Sequence, residues 1–117
     1  KETRVVMKLP PVLAPVKLAV FPLTKKDGLP DKARTIVDEL KFDFNCQYEE
    51  KDSIGKRYRR QDAIGTPYCI TVDHQTLEDD TVTLRHRDTM EQDRVKISEL
   101  RGIIKDQVDI SALLKQL

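Results

Sequence analysis

A chain of 117 residues can bury one hydrophobic core and is too short for two. Hydrophobic residues make up 38% and charged residues 35%, with no Trp and few other aromatics, so aliphatic side chains must carry the core beneath a densely charged surface. Lys and Arg number 21 against 20 Asp and Glu, a net charge of +1, which excludes bulk cationic attraction to nucleic acid and leaves only local clusters of positive charge.

In chain order, Arg4 to Pro15 carries Pro10, Pro11 and Pro15, each of which holds itself and its predecessor extended, and predicts a stiff linker over residues 1–15. The domain proper is expected over 16–117. Leu18-Ala19-Val20-Phe21, ended by Pro22, predicts a strand buried on both faces. Leu29, Ala33, Ile36, Val37 and Leu40 recur at spacings of three and four, an amphipathic helix opening at Pro30. Phe44 to Glu49 alternates as a second strand. Ser53 is placed to cap a helix from Ile54 to Ile64, ended by Gly65 and Pro67. Tyr68–Val72 and Thr81–Arg87 are rich in aromatic and β-branched residues and predict an antiparallel pair, with turn chemistry in the Asp73–Asp80 connector. Glu91 to Ile97 suggests a fifth strand. Ser98 is expected to cap a last helix bearing Leu100, Ile103, Ile104 and Val108, and a short apolar pattern, Ile110, Leu113, Leu114 and Leu117, ends the chain. Strands alternating with helices, then a hairpin, then a helix imply a mixed α/β sheet with helices packed on it.

Two clusters carry potential chemistry. Lys56-Arg57-Tyr58-Arg59-Arg60 sets four cations around about a turn and a half of helix, suited to gripping phosphates; a solvated surface balanced by Asp52 and Asp62 is the alternative. On the strand Thr81–Arg87, parity sends Val82, Leu84 and His86 to one face and Thr81, Thr83, Arg85 and Arg87 to the other. Arginine's fork of donors suits a base edge or a phosphate, and Glu78, Asp79, Asp80 and Asp88 supply acceptors nearby; cross-strand ion pairing is the alternative. An unpaired cytosine, with one amine donor and two acceptors on its pairing edge, calls for both an arginine and a carboxylate or carbonyl.

Other chemistries are poorly served. No catalytic residues are expected: His74 and His86 stand beside no nucleophile, and Ser53, Ser98 and Ser111 fit caps or surface positions. Thr24-Lys25-Lys26-Asp27-Gly28 has a single glycine and matches neither a P-loop nor a dinucleotide fingerprint. The acidic run at Glu78-Asp79-Asp80 lacks calcium-loop spacing, so no metal is expected. Cys46 and Cys69 sit singly in apolar runs, as free thiols do in a reducing, cytoplasmic setting. No stretch approaches the ~18 apolar residues of a membrane span, and no secretory leader is visible.

Several strings carry a family resemblance. Leu9-Pro10-Pro11-Val12-Leu13-Ala14-Pro15-Val16-Lys17, Ser53 to Asp62 with Ile64-Gly65-Thr66-Pro67, Thr76-Leu77-Glu78-Asp79 with Thr81-Val82-Thr83-Leu84-Arg85, and Arg87-Asp88-Thr89-Met90-Glu91-Gln92 together resemble the C-terminal anticodon-binding domain of homodimeric class II glycyl-tRNA synthetases. The resemblance implies a five-stranded mixed sheet flanked by three helices, as in the histidyl, prolyl and threonyl enzymes. It implies binding of the anticodon loop of tRNA-Gly, whose last two anticodon letters are cytosines. It places Arg85 and Arg87, with Glu78 and Asp88, nearest the splayed bases, and Lys56, Arg57, Arg59 and Arg60 nearer the phosphates. The parent would be an ATP-dependent, homodimeric glycine–tRNA ligase, with ATP and Mg bound in a catalytic domain absent from this chain and no cofactor in this part. The competing reading is a non-catalytic synthetase-like module, such as a polymerase accessory subunit or a regulator.

Overall fold

Five consecutive buried residues, Leu18–Pro22, form strand β1 at the heart of the sheet, as their unbroken apolar character requires. The computed structural model describes Ala14 and residues 16–108; the rest of the expected linker and the apolar pattern from Ile110 to Leu117 lie outside the described residues. The sheet has five strands: β1, β2 (Cys46–Tyr48), β3 (Tyr68–Val72), β4 (Thr81–His86) and β5 (Gln92–Lys96), in the order β2-β1-β3-β4-β5. Both neighbours of β1 run parallel to it, and β3-β4 and β4-β5 are antiparallel. The mixed α/β sheet anticipated from the sequence is therefore present.

The order follows from two crossovers. Helix α1 (Leu29–Leu40) carries the chain outward to β2, and α2 (Ile54–Ile64) carries it back across β1 to β3. Crossovers of one hand taken in opposite directions place their helices on opposite faces. The core accordingly divides in two. On one face Leu18, Val20, Ile70, Val72, Val82 and Leu84 pack against Leu29, Ala33, Ile36 and Leu40 of α1 and Leu100 and Ile104 of α4 (Ile97–Val108). On the other, Ala19, Phe21 and Cys69 pack against Ile54 and Tyr58 of α2.

Local chemistry fixes the helix ends. Gly28, at φ 76°, turns the chain into α1 with a proline in the first turn. The Ser53 hydroxyl accepts from the Lys56 backbone N–H at 3.4 Å, and Gly65, at φ 82°, closes α2 in the left-handed conformation that glycine tolerates.

Two details differ from expectation. The Asp73–Asp80 connector is not a simple turn: it holds a six-residue helix, α3 (His74–Asp79), because Asp73 and Thr76 form a reciprocal capping box. Ser98 does not cap α4. The chain passes directly from β5 into the helix, with the Ile97 backbone N–H donating to the Asp80 carbonyl at 2.9 Å.

Ile36 is 1% exposed at the centre of the α1 seam. Ile36→Ala is expected to cost about 2–5 kcal/mol, read from the urea midpoint at unchanged m-value.

Candidate nucleic-acid interface

Helix α2 covers only part of its face of the sheet, and the boundary between covered and open strand defines the site. Its inner side is polar as well as apolar. Asp62, 1% exposed, receives two parallel hydrogen bonds from the Arg85 guanidinium of β4, at 3.0 and 3.1 Å. That guanidinium lies over the Tyr58 ring, 4.5 Å from its centroid, and the Tyr58 hydroxyl meets Thr71 of β3 at 2.8 Å. Gln61 donates to Glu49 at 2.6 Å and to Gln47 at 2.9 Å, and accepts from the Thr66 hydroxyl at 2.6 Å. Each of these links joins α2 to a different neighbour, so the helix is fixed in both position and rotation.

The cations singled out in the sequence divide into two groups. Arg85, Arg87 and Arg57 are 6%, 3% and 4% exposed, respectively. Parity puts Arg85 on the α2 face as expected, but α2 lies over it and Asp62 engages both terminal nitrogens. Arg87 donates to the Gly65 carbonyl at 2.8 Å and pairs with Asp88 at 2.9 Å, tying the end of β4 to the end of α2. Arg57 donates to the Pro22 carbonyl at 2.7 Å and lies over Phe21; burial pushes its pKa down, and its Nε is buried without a partner. These three arginines frame the site from inside. Lys56, Arg59, Arg60, Glu78 and Asp88 are exposed. Arg60 bridges Glu49 at 2.6 Å and Asp52 at 3.2 Å, whereas Lys56 has no ion pair among the described residues.

The sheet is covered at Cys69, Thr71 and Arg85 and opens toward β5. Register aligns Thr71, Thr83 and Arg94 across β3, β4 and β5, and aligns Cys69, Arg85 and Gln92 in the same way. Where the strip meets α2 there is a cavity of about 240 Å³ lined by Leu23, Ile54, Tyr58, Thr71, Asp73, Thr83 and Gln92. It lies by the carboxyl ends of β1 and β3, where the chain connections diverge and open α/β sheets gather ligands. Arg94 is saturated here. Its five N–H groups go to both carboxylate oxygens of Asp73 at 2.6 and 2.8 Å, to the Thr81 hydroxyl and carbonyl, and to the Thr83 hydroxyl. Hydrogen bonding to Arg94 holds the Asp73 carboxyl below its usual pKa of 3.8.

Asp73, Gln92 and Arg94 were not among the residues the sequence singled out. Their place follows from register: β5 pairs antiparallel with β4 so that Gln92 stands beside Arg85 and Arg94 beside Thr83. Thr83 was placed on the correct face by parity alone. Among the described residues no group of three His, Cys, Asp or Glu could hold a metal ion, and no helix is long and apolar enough to cross a membrane. Burial pushes the Cys69 thiol up to about 12, which makes it a packing residue.

Two predictions follow from this geometry. Asp62→Ala leaves the Arg85 charge buried and unpaired and should cost about 3–5 kcal/mol; Arg85→Met paired with Asp62→Leu should recover most of that loss, as a double-mutant cycle in urea will show. The depressed Asp73 pKa contributes stability that is complete above the unfolded value of 3.8 and is lost as pH falls through the lower folded value. The acid limb of the unfolding free energy should therefore flatten in Asp73→Asn.

Residues 17–107 match the family model described as an anticodon binding domain. Curated relatives named glycine–tRNA ligase are 56% identical over 94% of this chain in Rhodopirellula baltica, 50% over 92% in Borrelia hermsii and 56% over 92% in Clostridium beijerinckii. The chain spans only 20–24% of the length of these relatives. The fold is shared with the crystal structure of the RNA binding domain of threonyl-tRNA synthetase from Cryptosporidium parvum Iowa II, with a TM-score of 0.77 at 23% identity, covering 86% of this chain and 25% of that one. With the matched region running from the residue before β1 almost to the end of α4, the chain belongs to the anticodon-binding domain family.

Proposed function

We propose that this domain binds the anticodon loop of tRNA-Gly and so helps a glycine–tRNA ligase choose its substrate. The observation that carries the reading is the level and extent of the likeness: relatives bearing that one name match at 50–56% identity over 92–94% of the chain. The open strip beside α2 supports it, because unpaired RNA bases are read on exposed sheet surfaces that combine a stacking floor with hydrogen-bonding edges. Leu23, Ile54 and Tyr58 offer the floor, and Thr83 and Gln92 offer the edge.

In this reading the exposed residues Lys56 and Arg59 approach the phosphates, and Arg60 joins them by exchanging one of its carboxylate partners. The exposed carboxylates of Glu78 and Asp88 serve in this reading as further acceptors for the loop, away from the cavity itself. Arg57, Arg85 and Arg87 contribute from below, by fixing α2 against the sheet. Glycine activation, with ATP and Mg, belongs to the catalytic part of the ligase. Dimerisation and contact with that catalytic part belong to the whole cytoplasmic enzyme. The chain's own contribution is recognition, which requires no chemical step.

Titration of the chain with a tRNA-Gly anticodon stem-loop should show saturable binding that duplex DNA of equal charge does not match. Equal affinity for both would favour the non-catalytic interaction module instead. Lys56→Ala should weaken every RNA alike and reduce the salt slope by about one counterion. A slope unchanged by the substitution would remove Lys56 from the phosphate path.

A further inference from the structure

Phe42 is 85% exposed, more than any other large apolar side chain among the described residues; Met90 at 52% and Leu77 at 48% come next. One exposed apolar side chain is ordinary on a protein surface, but the setting of Phe42 is not. It sits in the turn from α1 to β2, and the turn is pinned on both sides of it: the Arg101 guanidinium of α4 donates to the Glu39 carbonyl at 2.9 Å and pairs with Asp43 at 2.7 Å. Two residues on, Phe44 is 7% exposed and belongs to the core. The backbone that buries one ring thus holds the other outward, and a rigidly held Phe42 backbone has little freedom to lose when a partner covers the ring. Asp38 pairs with Lys41 at 3.2 Å, and the Lys41 ammonium stands 5.6 Å from the Phe42 ring centroid. An aromatic centre inside a rim of paired charges has the composition of an interface hot spot.

The same turn lies where the chain enters the domain. The Lys17 backbone N–H donates to the Asn45 carbonyl at 2.8 Å, close in sequence to Phe42, and Ala14 and Val16 are buried. The polypeptide leading into β1 is therefore held beside the turn. The chain spans only 20–24% of the glycine–tRNA ligases it matches, so more than three-quarters of such a protein lies outside it. We propose, resting on the ligase reading above, that Phe42 anchors this domain against the catalytic part of the ligase, filling an apolar pocket there while Lys41 and Asp43 meet its polar rim. The turn stands at the amino ends of β1 and β2, away from the cavity at the carboxyl ends of β1 and β3, so docking leaves the RNA surface free. A fixed contact sets the distance between a bound anticodon loop and the catalytic centre, which a freely swinging domain would leave variable.

The test compares the isolated chain with the whole ligase. Amide hydrogen exchange at residues 41–44 should be about 10-fold slower or more in the whole protein; equal rates in the two overturn the docking. Phe42→Ser should leave the urea midpoint of the isolated chain and its affinity for a tRNA-Gly anticodon stem-loop unchanged. In the whole ligase it should lower kcat/KM for glycylation of tRNA-Gly by about 5- to 30-fold, while glycine-dependent ATP–pyrophosphate exchange, which involves no tRNA, keeps its rate. Phe42→Leu, which stays apolar, should retain most of the glycylation rate. Full glycylation by Phe42→Ser overturns the inference. So does a lowered urea midpoint in the isolated Phe42→Ser chain, because the ring is then covered within the chain by residues 110–117 or, where the midpoint depends on concentration, by a second copy. In each of these outcomes anticodon-loop binding stands. If the whole protein does not glycylate tRNA-Gly, the reading beneath fails as well.

Discussion

The contact on which the site depends is the buried pair between Asp62 of α2 and Arg85 of β4. Taking both charges out of water costs several kcal/mol before their attraction is counted, so the pair is a poor candidate for a net stabiliser. Its effect is positional. Two parallel hydrogen bonds and a stack on Tyr58 admit one rotation of the helix about its axis and one distance from β4. Thr71 takes the Tyr58 hydroxyl, and Arg87 reaches from the end of β4 to the Gly65 carbonyl at the end of α2. With these set, α2 stops short of β5, and the strip that stays open is a consequence of where the helix is held.

The same logic separates the cations by function. With a net charge of +1 the chain has little surplus positive charge, and its structure spends many arginines internally. Arg57, Arg85 and Arg87 are buried, and Arg94 is saturated by Asp73 and two threonines. Long-range attraction is left to exposed cations spread over the surface, Lys25, Lys26, Lys51, Lys56 and Lys96 among them. A surface whose charges nearly balance neutralises few phosphates and gives a shallow salt dependence. In the proposed reading, selectivity then rests on the shape and hydrogen-bond pattern of a small area.

Most of the fold was legible because it obeys simple periods. Leu29, Ala33, Ile36 and Leu40 line one side of α1, and all are buried; the five-residue runs of β1 and β3 are buried throughout. Ser53 and Gly65 marked the ends of α2 by chemistry that is nearly local. Helix α3 escaped because six residues with a single apolar member, Leu77, carry no apolar period, and its capping box is visible only when Asp73 and Thr76 are considered as a pair. The exposure of Arg85 escaped for a different reason. Parity gives the face a side chain occupies, but whether that face is wet depends on a helix 23 residues earlier in the chain placing Asp62 over it. Gln92 and Arg94 required the register of β5, which the sequence did not specify.

An open sheet surface carries an energetic risk that this one limits. Uncovered strands invite pairing with other chains, yet β5 presents Gln92, Asp93, Arg94 and Lys96 to solvent, and of its five residues only Val95 is substantially covered. Charged and polar side chains therefore keep the outer strand soluble, while the rung below it offers hydrogen-bonding groups already fixed in direction. Fixing them beforehand removes the ordering cost that a flexible loop would bear on meeting a ligand. Asp73 shows how far this goes: its carboxylate caps α3 and anchors Arg94, and the residue lines the cavity. A group bound by so many partners cannot turn to suit whatever enters the cavity, so its direction is set before any ligand arrives.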